Sequence, residues 1–220
     1  MISMTNPSRL RFLQILTSLL IVPLISARVH AGTPLICHPY IIGAASSLPG
    51  SDGDWKGVNP SYDRTHLVRD TLALLNADTP IIVRMETLRR AAIYATAGMR
   101  GWSKEGFNDE DRANTTALLK KLRERSAKST GAERALALFD VGFFTETLRH
   151  TGVDRSLDGY SLLVQARELR GPDAEMEFAL ALASSWPKNS KHTEHLSRAR
   201  AGAKPGSLLA SNLASHFSGS

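Results

Sequence analysis

The chain has 220 residues, of which 42% are hydrophobic and 22% charged, as is usual for a folded globular protein. Its single cysteine excludes an internal disulfide. Residues 1–31 hold three arginines and no acid, so removing them lowers the formal net charge from +6 to +3. So small a net charge argues against binding to nucleic acid or to acidic membranes.

The first 31 residues have the features of a secretory signal peptide. Two arginines precede an apolar run of 14 residues, Phe12–Ile25. This run is shorter than the ~20 apolar residues that span a membrane. The small residues of Val-His-Ala, at 29–31, suit signal peptidase, so we predict cleavage between Ala31 and Gly32. We therefore expect a periplasmic or secreted protein with no stable membrane span after cleavage.

Residues 32–64 are rich in Gly, Pro, Ser and Asp and are predicted to form an irregular arm on a helical body. The apolar residues expected to pack on that body are Leu35, Ile36, Tyr40, Ile41 and Ile42. Cys37 lies among apolar residues, and a nucleophilic thiol would also need an oriented base. We interpret Cys37 as a packing residue; a reactive thiol or an intermolecular disulfide are the alternatives.

A helical domain is predicted for residues 65–202, because apolar residues recur there at helical spacing. Its six or seven helices are expected to begin at Thr65, Pro80, Asn108, Gly131, Leu157, Asp173 and Lys191. Thr79 is placed to cap the second helix, with Pro80 as its first residue. Residues 203–220 are predicted to be a flexible or weakly helical tail whose leucines could dock as a last turn.

The helix that begins at Gly131 is apolar on several faces, which predicts a place at the centre of the domain. Gly142 is positioned to admit a neighbouring helix closely, and Gly152 to end this helix. We predict an all-α fold, either an irregular bundle or a short α-solenoid of helix hairpins. The segments "METLRRA" (85–91) and "TETLRHT" (145–151), sixty residues apart, are similar in sequence. Either a repeated helix-hairpin unit or chance would explain this similarity, since Leu, Arg, Thr and Glu are common in helices.

The segments "TPLICHP" (Thr33–Pro39) and "RMETLRRA" (Arg84–Ala91) resemble those of uncharacterised exported, all-helical proteins of Gram-negative bacteria. The resemblance covers most of the mature chain and implies export and a helical body, with no assigned activity. The helix pairs in residues 157–185 loosely resemble tetratricopeptide repeats, although the fixed period of about 34 residues is not kept.

The sequence contains no recognisable catalytic or cofactor-binding motif. His192 and His195 are weak candidates for metal ligands, because residues three apart share a helix face. A third ligand cannot be placed from the sequence.

The residue types that form protein-binding hot spots are expected on exposed helix faces, and the candidates are Arg84, Arg89, Arg90, Tyr94 and Trp102. We therefore predict a non-catalytic interaction or scaffold module of the cell envelope, whose partner is another envelope or secreted protein. The alternative is a small exported enzyme or metal-binding protein with a site assembled from distant residues, such as Glu86, His66, His150 and Asp140.

Overall fold

The computed structural model describes residues 34–51, 56–96, 106–153, 156, 158–185 and 190–217. The predicted signal peptide and Trp102 lie outside these residues. The described part of the chain is helical and contains no β-strand, which confirms the predicted all-α class.

The described residues form nine α-helices, two more than the seven segments predicted from the sequence. The additional helices are α1, within the arm, and α9, within the tail. The helices are α1 Pro34–Cys37, α2 Leu67–Leu74, α3 Ile81–Ala95, α4 Asp109–Lys128, α5 Gly131–Thr151, α6 Tyr160–Arg170, α7 Ala174–Ala183, α8 His192–Gly202 and α9 Leu208–Phe217. None of these helices is long and apolar enough to cross a membrane.

Local sequence determines where several helices begin and end. At the start of α4, the Asn108 side chain accepts a hydrogen bond from the Asp111 N–H, and the Asp111 carboxylate accepts one from the Asn108 N–H. Gly152 ends α5 with a φ of 85°, a conformation that glycine adopts without steric cost. The capping role predicted for Thr79 is wrong, because Pro80 lies at the N-cap position of α3, one residue before the helix begins, and no side chain caps this helix. The Thr79 hydroxyl instead accepts from the Asn76 N–H and donates to the Leu74 carbonyl oxygen, 2.7 Å away.

Helix α5 lies at the centre of the helical body, as its all-round apolar middle predicts. It packs against α1, α3, α4 and α6. The side chains of Phe139, Phe143 and Phe144 are fully buried, and the rings of Phe139 and Phe143 stack with their centroids 5.8 Å apart. Burial of such aromatic side chains is the main favourable contribution to the stability of this region.

Two glycines allow α5 and α6 to approach closely, as predicted for Gly142. A Cβ atom on Gly142 would lie 2.9 Å from the Leu163 nitrogen and 3.0 Å from the Gly159 oxygen. A Cβ atom on Gly159 would overlap the carbonyl oxygen of Gly142. Larger residues at either position would therefore push the two helices apart.

The arm packs on the helical body mainly as expected. Leu35, Ile36 and Tyr40 are buried, and α1 contacts α3, α5 and α7. The expectation that Ile41 packs on the body is wrong, since this residue is 45% exposed. Its main-chain N–H and carbonyl groups form hydrogen bonds with the body.

The end of the described chain also packs on the body. Helix α9 contacts α7 and α8. It has ten residues and buries Leu209 and Leu213, so it is longer than the single docked turn that the sequence indicated.

Candidate functional site

A buried glutamate on α3 holds the main chain of the arm. The Glu86 carboxylate, which is 0% exposed, accepts a hydrogen bond of 2.9 Å from the Tyr40 N–H. It also pairs with Arg89 and Arg90, whose Nε atoms lie 2.8 and 2.6 Å from its two oxygens. Because the three residues are spaced i, i+3 and i+4, one helix face presents the whole group.

The two arginines extend this contact to carbonyl groups of the arm. Arg89 donates to the carbonyl oxygens of Ile36, at 3.0 Å, and Lys56, at 2.8 Å. Arg90 donates to the Leu48 carbonyl oxygen, at 2.6 Å. Hydrogen bonds from a charged donor are stronger than neutral ones, so these contacts fix the path of the arm along α3.

Helix α9 holds the arm from another side through a single amide. The Asn212 side chain accepts from the Ile41 N–H at 2.9 Å and donates to the Ile41 carbonyl oxygen at 2.8 Å. A side-chain amide thus satisfies both polar main-chain groups of one residue, as a neighbouring β-strand would.

Tyr94 completes the set of side chains that bind the arm. Its hydroxyl donates to the Pro49 carbonyl oxygen at 2.6 Å and accepts from the Asn59 N–H at 2.8 Å. We call this surface the arm groove. It is defined by Glu86, Arg89, Arg90, Tyr94 and Asn212.

The expectation that the candidate interaction residues lie on exposed faces is wrong for those that are described. Arg84, Arg89 and Tyr94 are buried, and only 17% of the Arg90 side chain is exposed. The arm covers the face of α3 that carries Arg89, Arg90 and Tyr94, so these residues bind the chain's own main chain. Trp102 lies outside the described residues.

Arg84 points to a different side of α3 and pairs with α5. Its Nη1 atom donates to both oxygens of Asp140, at 2.9 and 2.7 Å, and its Nε atom donates to the Thr79 carbonyl oxygen. Burial raises the pKa of Asp140 to about 6, although the Arg84 charge opposes the shift. This ion pair joins two central helices.

The segment 145–151, which is similar in sequence to residues 85–91 of α3, forms a similar arrangement on α5. The buried Glu146 carboxylate pairs with Arg149 and His150, again at i+3 and i+4. Its other oxygen accepts from the Gly159 N–H at 3.3 Å, as Glu86 accepts a main-chain N–H of the arm. In both segments, therefore, a buried glutamate binds two helix neighbours and one main-chain amide from a separate segment.

Three helices contribute to a third polar cluster, which the sequence did not reveal. His195 on α8 lies with its Nδ1 atom 2.6 Å from Glu177 Oε2 and its Nε2 atom 2.8 Å from the Tyr160 hydroxyl. The guanidinium groups of Arg167 and Arg198 lie 3.2 and 3.7 Å from the other oxygen of Glu177. Glu177 and His195 are buried, whereas Tyr160 is half-buried.

The structure does not bring the two candidate metal ligands to a common site. His192 Nδ1 lies 2.8 Å from the Ala181 carbonyl oxygen, while both ring nitrogens of His195 are occupied within the cluster just described. Across the ranges that the structure describes, no three His, Cys, Asp or Glu side chains form a group that could hold a metal ion.

The residues suggested for an assembled enzyme site lie in separate contacts. Glu86 pairs with arginines of its own helix, Asp140 with Arg84, and His150 with Glu146. His66 is exposed, with its Nε2 atom 3.9 Å from a carboxylate oxygen of Asp63.

Cys37 lies at the end of α1, where it is half-buried and packs against the hydrophobic core. This position agrees with a packing role, although its burial is less complete than the sequence suggested.

No family model, curated protein or solved structure matches this chain. Its function must therefore be inferred from the contacts described above.

Proposed function

We propose that this chain is an exported protein-interaction module of the cell envelope, and that the arm groove is its binding surface. Its occupant would be an extended segment of another envelope or secreted protein. In the absence of that partner, the chain's own arm occupies the groove.

The observation that supports this proposal is the kind of atom that the groove binds. Glu86, Arg89, Arg90 and Asn212 all contact N–H or carbonyl groups of the arm. Every polypeptide has these groups, so such contacts suit extended segments of varied sequence, while apolar sites between them select particular side chains. Tyr40 occupies one such apolar site, with its ring against Phe143 and Phe178.

The packing order of the helices is consistent with a short array of helix hairpins, which we include in the proposal. Helices α2 and α3, α4 and α5, and α6 and α7 pack as successive pairs. The contacts of α1 with α3, α5 and α7 place the arm against the second helix of each pair. Helical arrays bind extended segments along such a continuous surface of successive repeats.

An exchange experiment tests the groove directly. A protease site is introduced within residues 52–55, so that cleavage leaves the part of the arm that precedes it attached by non-covalent contacts alone. A fluorescent peptide of residues 33–51 is then added, and its binding is followed by anisotropy. We expect saturable binding as the peptide replaces the cleaved arm.

The matched control is the same peptide with an N-methyl group on Tyr40, which removes the N–H that Glu86 accepts. We expect it to bind at least ~10-fold more weakly, since a hydrogen bond to a charged group contributes about 1.5–3 kcal/mol. Equal affinity of the two peptides, or absence of binding to a cleaved protein that remains folded, would contradict the proposal. Crosslinked pull-downs from periplasmic extract that recover no specific protein would count against an envelope partner.

A further inference from the structure

We propose that Tyr160 is a nucleophile that accepts acyl groups from activated esters, with His195 as its general base and Glu177 as the residue that positions the base. The inference rests on the cluster formed by α6, α7 and α8. It is independent of the arm groove.

The hydrogen bonds of the cluster have the order that an activated nucleophile requires. A nucleophile needs a base within hydrogen-bond reach, and the base needs a third group that orients it. Tyr160 Oη lies 2.8 Å from His195 Nε2, and His195 Nδ1 lies 2.6 Å from Glu177 Oε2. The three residues come from three different helices, so their meeting is a product of the tertiary fold.

The chemistry of the groups determines the direction of these hydrogen bonds. An ionised carboxylate only accepts, so His195 Nδ1 must carry the proton that is shared with Glu177. In a neutral imidazole the other nitrogen then has a lone pair, and the Tyr160 hydroxyl must donate to it. When His195 is neutral and Glu177 ionised, the phenol proton therefore points at the base that would remove it.

The surroundings hold this arrangement in place and leave the phenol partly accessible. Arg167 and Arg198 balance the charge of Glu177 on the oxygen that His195 does not use. Burial, followed by the charges of Glu177 and Glu194, raises the pKa of Tyr160, so the resting group is a neutral phenol. His195 would accept its proton only as a new bond forms, as in serine hydrolases.

The other three tyrosines donate to a carboxylate or to main-chain carbonyl oxygens, and none of them donates to an imidazole. Tyr62 donates to the Asp70 carboxylate at 2.8 Å, and burial together with Asp70 raises its pKa well above the ordinary value. Tyr94 and Tyr40 donate to main-chain carbonyl oxygens. Tyr62 is half-buried like Tyr160 and provides an internal control for accessibility.

The proposed step with p-nitrophenyl acetate is balanced as written. Tyr160 Oη bonds to the ester carbonyl carbon while its proton passes to His195 Nε2. The bond from that carbon to the nitrophenol oxygen breaks, and p-nitrophenolate leaves with the electron pair. The products are O-acetyl-Tyr160 and an imidazolium next to Glu177, which then returns its proton to solvent.

The test treats the full mature chain with p-nitrophenyl acetate and measures acetylation of each tyrosine by peptide mass spectrometry. We expect Tyr160 to be acetylated at least ten times faster than Tyr62. His195→Gln should lower the Tyr160 rate about 100-fold, within the range that a positioned base contributes. Tyr160→Phe should abolish the fast phase of p-nitrophenolate release.

Two further measurements separate nucleophile activation from a structural role. Glu177→Gln should slow acetylation, and Glu177→Asp should restore part of the rate, at equal helical content by circular dichroism. Similar rates for Tyr160 and Tyr62 in the wild-type chain would overturn the proposal without any variant. So would an unchanged Tyr160 rate in a folded His195→Gln protein.

Discussion

At the scale of single residues, several charged side chains in the described part of the chain are buried together with a partner of opposite charge. Arg84 is paired with Asp140 on the neighbouring helix, and Glu86 with Arg89 on its own helix. Taking charges out of water is costly, and the pairing offsets this cost only while both partners are present. Removal of one partner of a buried pair should therefore lower the free energy of unfolding much more than removal of one partner of a surface pair.

Asp140→Asn tests this expectation, because it leaves the Arg84 charge buried without its counter-charge. We expect the free energy of unfolding, measured by urea denaturation, to fall by about 3–5 kcal/mol. The matched control is Glu124→Gln, which breaks the exposed pair with Lys121 and should cost about 0–1 kcal/mol. A cost for Asp140→Asn no greater than for Glu124→Gln would refute the argument.

The lowered pKa of Glu146 predicts that the stability of the protein depends on pH. Burial raises its pKa, but hydrogen bonds from His150 and Arg149 outweigh burial and bring it below the ordinary value of 4.5. A carboxylate with a lowered folded-state pKa stabilises the fold above its unfolded pKa, and this contribution is lost as the pH falls through the folded value.

The stability difference between wild type and Glu146→Gln should therefore be larger at pH 6 than at pH 3. Urea denaturation at a series of pH values measures this difference, and the exposed Glu133→Gln variant serves as the control. A difference that does not change with pH, or that grows towards acid, would show that Glu146 does not act in this way.

At the scale of helices, the close contact of α5 and α6 predicts that a glycine-to-alanine substitution changes stability in the opposite direction from that in an isolated helix. In an isolated helix, replacement of an interior glycine by alanine stabilises by about 1 kcal/mol. In this structure the alanine methyl at position 142 would meet the Leu163 nitrogen and the Gly159 oxygen. We expect Gly142→Ala to destabilise by about 1–3 kcal/mol in urea denaturation. A stabilised variant would show that the two helices are further apart than described.

The sequence predicted where helices begin and end better than it predicted which helix faces are buried. The start of α4, the end of α5 and the role of Gly142 follow from local residue types, and the structure confirms them. The burial of Arg84 was missed because amphipathic patterning assigns charged residues to solvent. Its partner Asp140 lies 56 positions away in the sequence, and helical periodicity does not show which residues so far apart are in contact.

At the scale of the whole molecule, both ends of the described chain meet in the arm groove. Ile41 and Asn212 are 171 positions apart, yet the asparagine binds both main-chain groups of the isoleucine. No local pattern marks Asn212 as a binding residue, since an asparagine in a tail predicted to be flexible or weakly helical is ordinary. The Tyr160–His195–Glu177 cluster was missed for the same reason, because three helices supply its members.

The groove also accounts for how an arm rich in glycine and proline acquires an ordered path. Its buried apolar side chains, Leu35, Ile36, Tyr40 and Leu48, each contribute on the order of 1.5–3 kcal/mol by leaving water. The polar contacts of α3 and α9 then satisfy main-chain groups that burial would otherwise leave without a hydrogen bond.

The most direct test of the arm groove is hydrogen exchange of individual amides in the native protein, measured by NMR. If Glu86 and Asn212 bind the arm as described, the amides of Tyr40 and Ile41 should exchange as slowly as amides within α3. The amide of exposed Ala44 provides the comparison for an open segment. Exchange of Tyr40 and Ile41 as fast as that of Ala44 would contradict the account.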